Sequence, residues 1–142
     1  MPEETRTASQ EWDEIANIRS IHSSGFAKEA YQLFTREGTF DFDYQHEWAR
    51  LAISYSMQHT QQRVPLEPAP DATGVVLNFM TLFPENSRLW VALIGQELHN
   101  ETEGQTPFTR EALLTRIRAH WHRGAVLLKE RYDTLKIAYE HD

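Results

Sequence analysis

Arginine and histidine side chains near the C terminus have the types and spacing best suited to contact a ligand. Arg116, His120 and Arg123 occur at positions i, i+4 and i+7, so a helix places them in one stripe. Arg118, His122 and Lys129, at steps of four and seven, form a second stripe on another side of the same helix. Either stripe could contact phosphate groups or an acidic protein surface, or pair within the chain as ordinary surface. The candidate residues for contacts with a partner or nucleic acid are Arg116, Arg118, His120 and Arg123.

The spacing of the histidines argues against a metal centre. His120 and His122 are two residues apart, and a helix points such side chains about 200° apart, so they cannot bind one ion together. The sequence contains neither the His-Glu-x-x-His pattern of zinc enzymes nor the Glu-x-x-His pattern of di-iron bundles. It also has no cysteine. We therefore predict no metal site and no cofactor.

Sequence signatures of catalysis are missing as well. There is no Gly-x-Ser-x-Gly nucleophile elbow, no Gly-x-Gly-x-x-Gly turn and no Walker loop. Asp41 and Asp43 could do acid–base chemistry, but helix capping and solvation explain both. We assign no catalytic residue. The alternative is a small helical enzyme or ligand-binding bundle that gathers its site from several helices. That alternative would draw on His46, Glu47, His99 and His120.

The charge is unevenly distributed along the 142 residues, whose net charge is −7. Residues 1–108 contain 7 basic and 16 acidic residues, whereas residues 109–142 contain 7 and 5. Nucleic-acid-binding domains are usually basic, so we predict that nucleic acid is not a direct ligand. An acidic body could occupy a basic groove on a partner protein, or simply keep the chain soluble. A nucleic-acid binder that uses the basic C-terminal helix is a further alternative.

Apolar residues of the C-terminal region recur at steps of three and four, which indicates one apolar helix face. Thr106 and Pro107 have the types of an N-cap and a first helical residue, so we predict a helix over 106–139, either continuous or broken at Gly124. A continuous helix would be roughly 45–50 Å long. Its apolar face could lie in the core or join two copies in a homodimer. The predicted dimer seam consists of Leu114, Ile117, Trp121, Leu128 and Leu135.

Helical patterns occur through the rest of the chain too, beginning near Ser9, Ser24, Tyr44, Val75 and Asn86. The apolar run over 75–83 fits either a buried helix or a buried strand, and we choose a helix because its surroundings are helical. Residues 39–44 alternate as a strand would, and we expect an extended lead-in there. We predict an all-α fold, with a disordered N-terminus over 1–8 and a single-domain bundle of five or six helices over 9–142.

The N terminus is polar and acidic, unlike a signal peptide, and no run of apolar residues is long enough to cross a membrane. We therefore expect a cytoplasmic protein. The composition, the missing catalytic signatures and the acidic body together predict a non-enzymatic interaction protein. It would be a regulator, adaptor or inhibitor that binds a protein partner, one version being an inhibitor of nucleic-acid-handling machinery.

Overall fold

The computed structural model describes residues 18–36, 45–60, 66–85 and 87–140, which are mostly helical. Five helices and a two-stranded antiparallel sheet occupy this described part. The predicted all-α fold with a long C-terminal helix is confirmed. The predictions for residues 1–8, for a helix start at Ser9 and for residues 39–44 lie outside it. In chain order the elements are β1 (Ser20–His22), α1 (Gly25–Arg36), α2 (Gln45–Thr60), β2 (Val76–Asn78), α3 (Phe79–Leu82), α4 (Ser87–Glu101) and α5 (Arg110–Glu140).

Helix α5 is continuous over 31 residues, which makes it roughly 46 Å long. The alternative of two helices broken at Gly124 is therefore wrong. The helix begins later than predicted, because Thr109 rather than Thr106 caps it: the Thr109 Oγ1 accepts a hydrogen bond of 3.1 Å from the N–H of Ala112. None of the described helices, α5 included, is long and apolar enough to cross a membrane.

The core lies between α5 and the helices α1, α2 and α4, which all pack against it. Trp48 of α2 is 1% exposed and contacts the rings of Tyr31 and Phe34, with centroids 6.0 and 5.8 Å away. Burial of apolar surface at about 25 cal/mol per Å² makes such residues the main source of stability. On α5 the buried face repeats at steps of four and comprises Leu113, Ile117, Trp121 and Ala125.

Helices α2 and α5 are in close backbone contact at Gly124. A Cβ atom added to Gly124 would overlap the backbone of Ala52, so only glycine permits this crossing. One turn away on each helix are Ser56 and His120, which the close approach brings into contact.

The apolar run over 75–83 is not one helix as predicted. Its first part forms β2, which pairs antiparallel with β1, and only its second part forms the short helix α3. Asn78 explains the boundary, because its side chain accepts a hydrogen bond of 3.2 Å from the N–H of Met80 and caps α3. Residues 20–22, which follow the helical pattern predicted to begin near Ser9, form the strand β1, because their backbone groups pair with β2.

Candidate functional site

The polar side chains predicted as a surface stripe lie largely inside the protein, in a network that joins α2, α4 and α5. At its centre is Glu97, whose Oε1 accepts hydrogen bonds from Nε and Nη2 of Arg116, at 2.9 and 2.6 Å, and from His120 Nε2. Arg116 Nη2 also pairs with Glu101 Oε2 at 2.6 Å. We call this network the inner cluster; its members are Ser56, Glu97, Glu101, Arg116, His120 and Arg123.

The second ring nitrogen of His120 extends the inner cluster to α2. Its Nδ1 lies 2.8 Å from the hydroxyl of Ser56, which also accepts a hydrogen bond of 2.8 Å from Nε of Arg123. A serine hydroxyl has one proton and two lone pairs, so Ser56 can accept from Arg123 and still form a hydrogen bond with Nδ1. Nε2 faces the carboxylate of Glu97, which can only accept, so Nε2 donates this hydrogen bond.

The electrostatics of Glu97 follow from this arrangement. Burial by itself raises the pKa of its carboxyl group. The hydrogen bonds and positive charges of His120 and Arg116 outweigh that effect and lower the pKa below its usual range. Glu97 is therefore ionised at neutral pH and holds Arg116, whose side chain is only 9% exposed, in a buried ion pair.

Ser56, His120 and Glu97 are in contact in the same order as the serine, histidine and carboxylate of a hydrolase triad. Ser56 and His120 are both 0% exposed, so no substrate carbonyl can reach the hydroxyl in this conformation. The inner cluster therefore holds three helices together.

The residues from which the alternative enzyme would draw its site do not assemble a catalytic site either. Glu47 and His99 are exposed at the start of α2 and the end of α4, whereas His120 is fully buried. Within the described residues, no group of three histidines or carboxylates could hold a metal ion.

Of the four predicted contact residues, only Arg118 lies outside the inner cluster. Arg116 and His120 are buried in the inner cluster, and Arg123 donates to both the hydroxyl and the carbonyl oxygen of Ser56, at 2.8 and 2.7 Å. The side chain of Arg118 is half-buried, and its Nε has no hydrogen-bond partner among the described residues. The structure thus does not show the predicted stripe as one basic surface.

The predicted dimer seam lies mostly inside the single chain. Leu114, Ile117 and Trp121 are buried, and Leu128 packs against the same core. The side chain of Leu135 lies outside the described part. These residues already contribute to the core of one chain, and their role between two copies stays a prediction.

A second polar cluster, which the sequence analysis missed, lies where α5 meets the start of α1. The Ser24 hydroxyl lies 2.7 Å from Nδ1 of His122 and accepts a hydrogen bond of 3.1 Å from the N–H of Ala27, so Ser24 caps α1. Oδ1 of Asp71 accepts a hydrogen bond of 2.8 Å from the N–H of Gly25, the first residue of the same helix. We call this the outer cluster; its members are Ser24, Gly25, Asp71, Thr73 and His122.

Two pKa shifts mark the outer cluster. Hydrogen bonds from Gly25 and Thr73 lower the pKa of the exposed Asp71 carboxyl group. Burial lowers the pKa of His122, and the negative charge of Asp71 offsets part of that effect.

The sequence contained a local signal for the turn at Asp71, since Asp-x-Thr is typical of a side-chain-stabilised turn. Its contact with Gly25 spans 46 positions and has no local signal.

The fold and the two clusters define a small all-α protein, in which polar side chains of one long helix connect the elements packed around it. The sequence model of the family described as DNA sulphur modification protein DndE matches residues 21–136. The match covers most of the chain, from β1 to the last turns of α5, and the chain belongs to this family. No curated protein matches the chain.

Membership of this family corrects two predictions. The predicted function, a non-enzymatic regulator, adaptor or inhibitor acting by protein–protein binding, is wrong because the family is one of DNA sulphur modification. The prediction that nucleic acid is not a direct ligand is wrong for the same reason. Net charge misled here because it reports on the whole chain, whereas contacts with phosphates depend on where individual cations lie.

Proposed function

We propose that this protein takes part in DNA sulphur modification in the cytoplasm and contacts DNA directly in that process. The observation that carries the proposal is the family match over residues 21–136. The fold is compatible with it, since no described helix could cross a membrane.

Arg118 is the residue of the predicted basic stripes that we expect to contact a phosphate. Arg116 and Arg123 would first have to leave their hydrogen bonds in the inner cluster, and breaking a buried ion pair costs about 3–5 kcal/mol. Arg118 has no such bond to break within the described residues. Its unpaired Nε is fully buried, so a phosphate would have to meet the terminal nitrogens of the guanidinium group. The exposed Arg110 on the same helix offers a second cation.

The role in sulphur modification is tested in cells. A strain that lacks the gene for this chain should contain no sulphur in its purified DNA, and the wild-type gene should restore it. Mass spectrometry of nucleotides released by nuclease digestion measures the sulphur. Unchanged sulphur-containing nucleotides in the deletion strain would show that the proposal is wrong.

The DNA contact is tested with purified protein and duplex DNA. Arg118→Gln should weaken binding and reduce the slope of log affinity against log salt by about one, the contribution of one phosphate contact. Arg118→Lys keeps the charge and should keep most of that slope. Arg88→Gln, at an exposed position of α4, is the matched control and should bind as the wild type does. Equal effects of Arg118→Gln and Arg88→Gln would exclude the specific contact.

A further inference from the structure

A cleft of about 250 Å³ lies beside the inner cluster, between the segment at Leu66 and Pro68 and the helices α4 and α5. At about 30 Å³ per water molecule it has room for roughly eight waters, so it suits a ligand well below the size of a drug. Leu66, Pro68 and Leu98 provide an apolar wall, whereas Glu111, Thr115 and Arg116 provide polar groups from α5.

Arg116, which lines this cleft, has one guanidinium nitrogen that is free to donate a hydrogen bond to a ligand. Its Nε and Nη2 are bonded to Glu97 and Glu101, but its Nη1 has no partner among the described residues. Nη1 is not fully buried either, because the fully buried side-chain nitrogens without a partner in the described residues belong to Trp48, Arg118 and Trp121. The small exposed fraction of Arg116, 8%, therefore includes Nη1, and Arg116 lines the cleft. A ligand with a hydrogen-bond acceptor could complete the guanidinium there.

The charges around the cleft restrict what that ligand can be. The two carboxylates and two arginines of the inner cluster balance each other. Glu111 adds one further negative charge at the wall of the cleft. A simple anion would be repelled by this excess of negative charge. A zwitterion would place its carboxylate on Arg116 and its ammonium group on Glu111, so that both charges are paired.

We propose that this cleft binds a free α-amino acid with an apolar side chain. The carboxylate accepts a hydrogen bond from Nη1 of Arg116, the ammonium group pairs with Glu111, and the side chain lies against Leu66 and Leu98. This binding site is separate from the DNA contact proposed for Arg118, so either proposal can fail without the other.

Isothermal titration calorimetry of the whole chain tests the ligand class. L-Leucine and L-phenylalanine are the probes, and at least one should bind at millimolar concentration. N-acetyl-leucine lacks the ammonium group, leucinamide lacks the carboxylate and glycine lacks the side chain, and each should bind at least about tenfold more weakly. The proposal is overturned if neither probe binds, or if N-acetyl-leucine binds as tightly as leucine.

Variants of α5 test the position of the site. Glu111→Gln should weaken binding of the amino acid about tenfold, and Thr115→Phe should abolish it by filling the cleft. Glu130→Gln is the matched control, since Glu130 is exposed on the same helix about 28 Å further along its axis. Arg116 itself is left unchanged because it also joins α4 to α5. If Glu111→Gln and Glu130→Gln weaken binding equally, or neither does, the proposed site is wrong.

Discussion

The inner and outer clusters use the same pair of side chains at different depths. In each, a serine hydroxyl lies within hydrogen-bonding distance of Nδ1 of a histidine of α5: Ser56 with His120 at 2.8 Å and Ser24 with His122 at 2.7 Å. The inner histidine then meets Glu97, a carboxylate that also holds a buried arginine, whereas the outer one faces the exposed Asp71. The comparison teaches that solvent exposure, more than the identity of the bond, determines how much each cluster should stabilise the fold.

The largest loss in the free energy of unfolding should appear when Glu97, the central carboxylate of the inner cluster, is neutralised. Glu97→Gln removes the charge that pairs with Arg116 while the arginine stays buried, so we expect a loss of about 3 kcal/mol in the free energy of unfolding. Chemical denaturation followed by circular dichroism measures it.

Glu101→Gln is the control for that variant. Glu101 contacts the same arginine, but its side chain is 33% exposed, so we expect a loss below about 1 kcal/mol. Equal losses for the two variants would contradict the view that depth determines the strength of the inner cluster.

A smaller effect should follow from separating the helices that form the inner cluster. Gly124→Ala places a Cβ against the backbone of Ala52, so α2 must move and the contact between Ser56 and His120 must lengthen. Overpacking of this kind costs about 1–3 kcal/mol, and we expect roughly 2 kcal/mol, measured as above.

Gly95→Ala provides the matched control within a helix. An added Cβ there would meet only the ring of Phe108, a side chain that can move. Since alanine also favours helix over glycine by up to about 1 kcal/mol, this variant should be as stable as the wild type or more so. A Gly124→Ala variant of wild-type stability would show that the helix crossing is not tight.

The smallest effect concerns pH and the outer cluster. Because burial lowers the pKa of His122 in the folded protein, the unfolded chain binds more protons as the pH falls below its usual pKa of 6.5. The free energy of unfolding should therefore decrease between about pH 7.5 and pH 5.5. We expect the contribution of His122 to stay below about 1 kcal/mol, because solvent screens this half-buried group.

Urea denaturation of wild type and His122→Gln at both pH values measures this contribution. The variant should show a smaller decrease than the wild type. The carboxyl groups with lowered pKa, Asp71 and Glu97, lose their contributions only below their usual values of 3.8 and 4.5, so they do not interfere in this range. Identical decreases in the two proteins would rule out His122 as the source.

The sequence predicted the helical elements better than the polar contacts between them. The repeat of apolar residues along α5 was sufficient to locate that helix, because one face of a helix is a local pattern. The same pattern could not show that Arg116 and His120 point inward, since their partner Glu97 lies on another helix 19 and 23 positions away. The run over 75–83 was misassigned because its pairing with β1 is even more distant in sequence: the paired residues are 54 to 58 positions apart.

The position of α5 in the chain has a consequence for folding during synthesis. Helices α1, α2 and α4 contain only 12, 16 and 15 residues, and isolated helices of this length are marginal in water. Each packs against α5, which leaves the ribosome after all of them. We expect ribosome-bound chains that stop before α5 to be cut readily by protease, and chains that include it to resist. Until α5 emerges, Trp48 and the other apolar residues of the core lack their main packing partner and remain exposed to aggregation.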